Sequence, residues 1–514
     1  MSCFLGIDAG TSGIKAIVMD ETGTIHGIGY CECDLITPKP NWVEESPEEW
    51  WKACSAAVTQ ASKNSGHGMD IESIGFSGQM QGCTLLGENG EAVDNCMIWL
   101  DQRAAAQADE LNAKMDAKEM LEITANYCLP SFWAPKLLWL KKNRPEVFAK
   151  TKKVLFTKDY LRYRMTGEIS TEVSDASLSF LMDMKKRQWS DRMFEVTGLS
   201  RDLVPEKLLE SIDVAGYLKK DVAQAWGMRA GIPVVAGGGD QPAGGVGSGV
   251  VKTGTIAATI GTSGVVFGCC DTPFIDEQRR AMFSLCHSVP DKYCFLGCTL
   301  GAGGSFKWIR DTFFADKKAE FAQSGKDIYD YITGLAEQSP LGSDGLVFLP
   351  YLNGESTPHV DPDARGVFFG LSYRHGLGAM CRSVMEGVTF SLRDAIEILR
   401  GTGLQISEVR AMGGGAKSKL WRQMMADIFN ASVVTMNMEE GPAAGAAIMA
   451  AVGSGKFKNV QEACDAILKI ESVTQPIAQN VAYYDEYYKT YVELYKDLKQ
   501  TFAAQAKRVQ KHLG

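Results

Sequence analysis

The chain has 514 residues, a net charge of −9, 45% hydrophobic residues and 22% charged ones. That length predicts two or more domains, and the acidic balance, with no long Lys/Arg run, excludes a nucleic-acid partner held by a basic surface. No apolar run reaches the roughly 18 residues a bilayer span needs, and no signal-like leader opens the chain, so the expectation is a cytoplasmic protein without a membrane partner. The 14 cysteines are irregularly spaced and form no C-x-x-C pair. They read as plain thiols of a reducing compartment, not as zinc ligands.

In chain order, Phe4–Asp8 reads as a short buried strand, 10–13 (Gly-Thr-Ser-Gly) as a turn, Lys15–Asp20 as a second strand and Thr24–Tyr30 as a third. A helix follows, with Ser46 as N-cap, Pro47 at its first position and Glu49 closing a capping box. Ile71–Phe76 is a further strand, Ala104–Leu121 an exposed Ala-rich helix, and Lys136–Lys142 belongs to another helix. Thr255–Ile260 then opens a second half in the same way: strand, Gly-Thr-Ser-Gly at 261–264, returning strand Val265–Gly268. This repeated tetrapeptide predicts two related domains, 1–249 and 250–514, whose turns face a shared cleft. The Gly-rich run Gly244–Gly249 is the expected hinge. The C-terminal stretch spaces Tyr484, Tyr487, Tyr488, Tyr491, Leu494, Tyr495, Leu498 and Phe502 as one face of a long packing helix.

Four glycine-rich turns carry the chemistry. Asp8 ends the first strand just before the turn with Gly10, Thr11 and Ser12, and Lys15 lies just beyond. Small residues let backbone amides approach a phosphate, and an adjacent carboxylate can hold Mg²⁺. Alone, this is also the pattern of an ordinary hairpin. Gly261, Thr262 and Ser263 supply the second copy. Val234–Val235 runs into three glycines and Asp240, where a carboxylate can accept a proton from an attacking hydroxyl or cap the next helix. Finally, Gly413, Gly414 and Gly415, with Ser418 close by, join a strand to a helix that begins near Leu420. A flat ring or a phosphate can lie on such a turn. There is no P-loop G-x-x-x-x-G-K-[ST] and no Rossmann fingerprint after the first strand.

In order and spacing, Gly6–Lys15, Gly78-Gln79-Met80, Trp99–Arg103, Lys158-Asp159-Tyr160, Gly237–Asp240, Gly261–Gly264, Phe348–Pro358, Gly366–Leu371 and Gly413–Asp427 resemble the FGGY carbohydrate kinases over nearly the whole chain, and most of all their xylulose kinase branch. The resemblance implies an α/β fold of two actin-like (ribonuclease H-like) ATPase domains around a central cleft. It implies ATP and Mg²⁺, a small sugar substrate, and compatibility with a homodimer. Asp240 then matches the family's general base, and Asp8 faces it across Mg²⁺. Gly10, Thr11, Ser12, Lys15, Gly261, Thr262 and Ser263 match the phosphate turns. Gly413, Gly414, Gly415 and Ser418 match the adenosine loop. Gln79, Met80, Gln81, Trp99, Asp101, Asp240 and Gln241 match the sugar pocket. The chain departs from the xylulose kinase pattern at Gln81, where His is usual, at Gln241, where Asn is common, and at Trp133, where a small residue is usual.

Other readings remain open on sequence alone. They are a different acceptor (ribulose, glycerol, erythritol or gluconate), a non-enzymatic actin-like regulator, or a nicotinamide-dependent dehydrogenase, which the missing fingerprint disfavours. An aldonate needs a cationic contact, and Arg103 is the nearby candidate.

Overall fold

The computed structural model describes residues 1–277 and 281–513. Two seven-stranded sheets organise the chain. The first is ordered Val214–Tyr217, Pro233–Val235, Ile71–Gly78, Cys3–Gly10, Gly13–Asp20, Ile25–Glu32, with Gly238–Gly239 also pairing with Ile71–Gly78. The second is ordered Met282–Cys286, Tyr293–Thr299, Gly264–Cys270, Thr255–Ile260, Glu408–Gly413, Ser432–Met436, Ile470–Thr474.

The two sheets repeat one plan. In each, the opening strand pairs antiparallel with its hairpin partner on one side and parallel with a later strand on the other. A second parallel strand and an antiparallel edge strand follow. The edge differs in origin. It precedes its neighbour in the first sheet and follows it in the second, and Met282–Cys286 is an addition outside the common plan. The Gly-Thr-Ser-Gly turns occupy equivalent places, each closing the hairpin at the end of the opening strand. Central strands such as Cys3–Gly10 and Thr255–Ile260 are buried along most of their length, as expected of strands covered on both faces.

The helices that follow the fifth strand of each plan, Asp240–Gly247 and Gly441–Gly453, pack against each other. A Cβ on Gly247 would stand 1.8 Å from the Gly441 carbonyl oxygen, and one on Gly445 would stand 1.9 Å from that of Ala243. No side chain fits either contact. The expected hinge at Gly244–Gly249 is therefore corrected: 244–247 are helical, and their smallness serves close approach, not bending. Helix Gly441–Gly453 also lies against the first sheet, where Ser73 Oγ donates to the Ala450 carbonyl at 2.5 Å.

Two local expectations change. Ala104–Leu121 is two helices, Ala105–Lys114 and Ala117–Thr124, because the Asp116 side chain caps Lys118 and Glu119 amides and starts a new one. Nor are they simply exposed, since Ala108, Leu111, Met120 and Leu121 are buried. Ser46 does accept from the Glu49 amide at 3.4 Å, but the Glu49 carboxylate pairs with Lys52 at 2.6 Å instead of closing a capping box. Ala478–Leu513 is the expected long helix, with Tyr484 and Tyr491 fully buried. All 14 cysteines are free. Among the described residues no helix is long and apolar enough to cross a membrane.

Candidate active site

Strand register builds the centre of the site. Asp8 is opposite Ser77 in the parallel pair, and Ser77 is opposite Gly238 on its other side. Asp240 follows two residues later as the first residue of a helix, with Gly239 as its cap. Three neighbouring strands thus deliver two carboxylates to one place. Asp8 Oδ1 accepts from Ser77 Oγ at 2.9 Å, and its Oδ2 lies 4.0 Å from where a Gly10 Cβ would stand, under the first turn. Burial, followed by the charge of Asp8, pushes the Asp240 carboxyl up to about 7, against the pull of Gln241 hydrogen bonds. Burial likewise raises the Asp8 carboxyl, partly offset by Ser77 and Lys15. Two half-buried acids whose carboxyls are both raised, that of Asp240 partly by the charge of Asp8, are poised for a cation or a proton.

The first turn is tied to the segments that carry Gln79 and Trp99. Trp99 Nε1 donates to Thr11 Oγ1 at 2.9 Å, Thr11 Oγ1 to Gln79 Oε1 at 3.4 Å, and the Gln79 amide to the Ala9 carbonyl at 2.8 Å. Trp99 is 44% exposed, so it is a wall and not core. Gln79 Nε2 donates to Glu45 Oε2 at 2.7 Å, which leaves the amide oxygen facing Thr11. Glu45 is a buried acid that the sequence did not single out, and burial pushes its carboxyl up to about 7. Met80 packs under the turn that leads to Asp240: its side-chain atoms lie 2.6 Å from a hypothetical Cβ on Gly239. Gln81 adopts φ 69°, and its carbonyl accepts from Lys136 Nζ at 2.8 Å. Lys136 is fully buried and also holds the Met97 and Ile98 carbonyls, both at 2.9 Å. One cation thereby joins the Gln81 and Trp99 segments, and burial lowers its ammonium to about 8. Trp133, the departure noted above, is buried, stacks on Phe156 and donates to the Gly82 carbonyl at 2.7 Å.

Three expected contacts have other partners. Lys15 Nζ pairs with Glu440 at 2.8 Å, beside the helix Gly441–Gly453. The Asp101 carboxylate is fully buried and taken up by Arg103 and by the Val43 amide at 2.7 Å. Ser418 caps helix Lys419–Phe429, accepting from the Trp421 amide at 3.2 Å. Arg103 itself bridges Asp101 and Glu44, both at 2.7 Å, and lies 3.9 Å from the Trp42 ring.

In the second lobe Ile260 is opposite Gly413, so the second turn and the adenosine-like loop leave the same end of paired parallel strands. Thr262 and Ser263 are exposed. The space above Gly261 is open, its nearest neighbour being the Ser263 carbonyl at 3.4 Å. Gly413 adopts φ 76° and Gly414 is exposed, with nothing nearer to a hypothetical Cβ than 3.9 Å. Sequence reasoning overlooked helix Gly303–Phe313, whose Gly303 and Gly304 amides donate to the Gly261 and Thr262 carbonyls at 2.7 and 2.9 Å. The run Gly301-Ala302-Gly303-Gly304 was the available signal. Its helix N-terminus adds partial positive charge beside the turn. The strand next to the second turn's hairpin comes near Asp240: Cys298, opposite Val265, feels the Asp240 charge.

The N-terminal domain of the FGGY family of carbohydrate kinases matches residues 3–247, and its C-terminal domain matches 256–454. A xylulose kinase of Escherichia coli is 37% identical over 94% of this chain and 96% of its own length. A xylulose kinase structure from Brucella ovis is 32% identical, with a TM-score of 0.87 over 97% of this chain and all of that one. A gluconate kinase structure from Lactobacillus acidophilus is 26% identical, with a TM-score of 0.88 over 98% of this chain and 99% of that one. Duplicated sheets, paired turns and matched domains lead to one conclusion: the chain belongs to the FGGY family of carbohydrate kinases and is an ATP-dependent sugar kinase.

Proposed function

We propose that this kinase transfers the γ-phosphoryl group of ATP to the primary hydroxyl of D-xylulose, giving D-xylulose 5-phosphate, with Asp240 as general base. The observation that carries the proposal is the Asp8–Ser77–Gly238 register, which brings Asp240 beside Asp8 at the end of the first hairpin. Asp240 accepts the proton from the attacking sugar oxygen while that oxygen attacks phosphorus in line and ADP leaves. Its carboxyl near 7 matches a base that works close to neutral pH. Amides and hydroxyls of the turns at Gly10, Thr11, Ser12 and at Gly261, Thr262, Ser263 orient the phosphates. The exposed backbone of Gly413 and Gly414, above the buried Gly415, seats the adenosine.

Mg²⁺ fits the Asp8/Asp240 pair, because two hard carboxylate oxygens that repel one another suit an ion that keeps waters and phosphate oxygens as its other ligands. When bound it would neutralise phosphate charge. On the sugar side, Gln79, Met80, Gln81, Trp99 and Gln241 form the wall, whereas Asp101, Lys15 and Ser418 act through the contacts described above. In this reading residues 1–249 bind the sugar and 250–514 the nucleotide, in the cytoplasm.

The likeness to a gluconate kinase favours an aldonate as the second reading. Arg103 weighs against it: its guanidinium is already neutralised by Asp101 and Glu44 and is only 2% exposed. Coupled ADP release with xylulose, ribulose, glycerol, erythritol and gluconate tests both readings. A kcat/KM for gluconate above that for xylulose would overturn the ketose assignment.

A further inference from the structure

A cluster of five charged side chains lies behind the catalytic turn, outside every role assigned so far. Lys158, Asp159, Arg162, Glu172 and Asp175 are all fully buried. Lys158 Nζ meets Asp159 at 2.9 Å, Asp175 at 2.8 Å and Glu172 at 3.2 Å, and Arg162 meets Asp159 at 2.8 Å. Buried ion pairs of this kind seldom add net stability, because desolvation offsets the attraction. Their geometric effect is the one to examine.

The backbone that leads to Asp240 shows it. Between strand Pro233–Val235 and Asp240, the Ala236 amide goes to the Asp213 carbonyl and Gly238–Gly239 pair with Ser77–Gly78, while the other contacts of the backbone go to this cluster or its immediate supports. The Ala236 carbonyl accepts from Arg162 Nη1 at 2.5 Å. The Gly237 amide donates to the Ser211 carbonyl, and the Gly239 amide to Ser174 Oγ, both at 2.9 Å. Ser174 Oγ in turn donates to Glu172 Oε1 at 2.8 Å. Glu172 also accepts from the Ser174 and Asp175 amides at 2.6 and 2.9 Å. Arg162 is steadied at its other end by the Ser170 carbonyl at 2.6 Å. A three-glycine turn has little stiffness of its own, so its path is set by the groups that hold its amides and carbonyls.

We propose that this buried cluster is the positioning device of the catalytic turn: Ser174 and Arg162 grip the backbone that carries Asp240, and Lys158, Asp159, Glu172 and Asp175 lock Ser174 and Arg162. The proposal rests on Asp240 being the base. None of these residues touches substrate. They act by keeping the Asp240 carboxylate within reach of the sugar hydroxyl, where a displacement of about 1 Å costs on the order of 100-fold in rate.

Ser174→Ala tests it, since it removes the acceptor for the Gly239 amide and leaves every charge in place. The expected result is a kcat reduced about 10- to 100-fold, with KM for xylulose and for ATP within about threefold of wild type. Ser174→Cys, a near-isosteric but weaker acceptor, falls between. Ser211→Ala is the control, because Ser211 Oγ donates to the same Glu172 at 3.2 Å while only its backbone touches the turn; it retains kcat within about twofold. Thermal melts accompany each variant. A Ser174→Ala kcat within twofold of wild type overturns the proposal. So does a loss in Ser211→Ala equal to that in Ser174→Ala, or kcat losses that follow melting temperature instead of acceptor strength. Asp240→Asn, run alongside, separates the two readings. If it is inactive while Ser174→Ala is normal, only the positioning role fails; if it is active, the base assignment and this proposal fail together.

Discussion

Replacing Asp240 with Asn should make the protein inactive and, without ligands, more stable. The carboxyl is pushed from an ordinary 3.8 to about 7 by burial and by Asp8. A raised folded-state value means the unfolded chain releases this proton first. Stability is therefore lost as pH climbs from about 4 to about 7, and is constant above that. The shift corresponds to at most roughly 4 kcal/mol, which is a few degrees of melting temperature for a chain of this length. Asn cannot titrate, so Asp240→Asn lacks the loss. The assay is thermal melting of ligand-free wild type and variant at intervals from pH 4 to 8. The variant's advantage should be near zero at pH 4, grow through pH 6 and level off above 7. Steady-state kinetics of the same preparations should show kcat reduced by about 10²- to 10⁴-fold, the range for loss of a general base. A variant that melts at or below wild type at every pH would refute the electrostatic reasoning. A variant with near-wild-type kcat would refute the catalytic role.

Wild-type kcat/KM for the sugar at saturating Mg²⁺–ATP should fall about tenfold per pH unit on the acid side, since the base must be ionised, with the fall starting below the ligand-free value of about 7 because a bound cation favours the carboxylate; a profile flat from pH 4 to 8 would contradict this. Lys136→Met strands three carbonyls, those of Gln81, Met97 and Ile98, and should destabilise the protein by roughly 3 kcal/mol or more while raising KM for the sugar more than KM for ATP. Gly414→Ala, with open space above it, should fold normally and raise KM for ATP. Gly413→Ala, at φ 76° and 2.6 Å from the Ile260 carbonyl, should lower the melting temperature as well. Comparing the two melts and the two KM values checks that pair.

Much of the frame was legible because the signals were local. Alternating and buried runs marked the opening strands of both sheets, and Thr255–Ile260 matches its expected bounds. Asp8, Asp240 and the four glycine turns could be picked out since each lies near or just beyond the end of a strand. Long-range pairings were beyond reach. Nothing near Lys15 announces Glu440, 425 residues away. Asp101 looks available for a sugar until Arg103 and the Val43 amide are seen to occupy it. Gly244–Gly249 resembles a hinge because composition cannot distinguish a flexible glycine from one that lets two helices touch. Lys136, Glu45 and Ser174 went unassigned for the same reason: a buried polar group is defined by its partners, which come from distant segments.

The duplicated plan explains why the turns can serve one nucleotide. Each turn closes the hairpin of an opening strand, and each opening strand is flanked by a parallel strand whose end carries the next functional loop: Gly78-Gln79 in the first lobe and Gly413-Gly414 in the second. A turn proposed to hold phosphate and a second loop therefore leave each sheet side by side, with Gly78-Gln79 on the proposed sugar side and Gly413-Gly414 on the proposed adenosine side. Among the contacts that join the lobes is that between the equivalent helix of each, Asp240–Gly247 against Gly441–Gly453, a contact too close for any side chain. Asp240, the proposed base, is the first residue of one of these helices, and Glu440, the partner of Lys15, immediately precedes the other. A change in the angle between the lobes should therefore reach Asp240 through this helix pair and the first hairpin through the Lys15–Glu440 ion pair. A side chain at Gly445 or Gly247, which would part these two helices, should therefore lower kcat as well as the melting temperature.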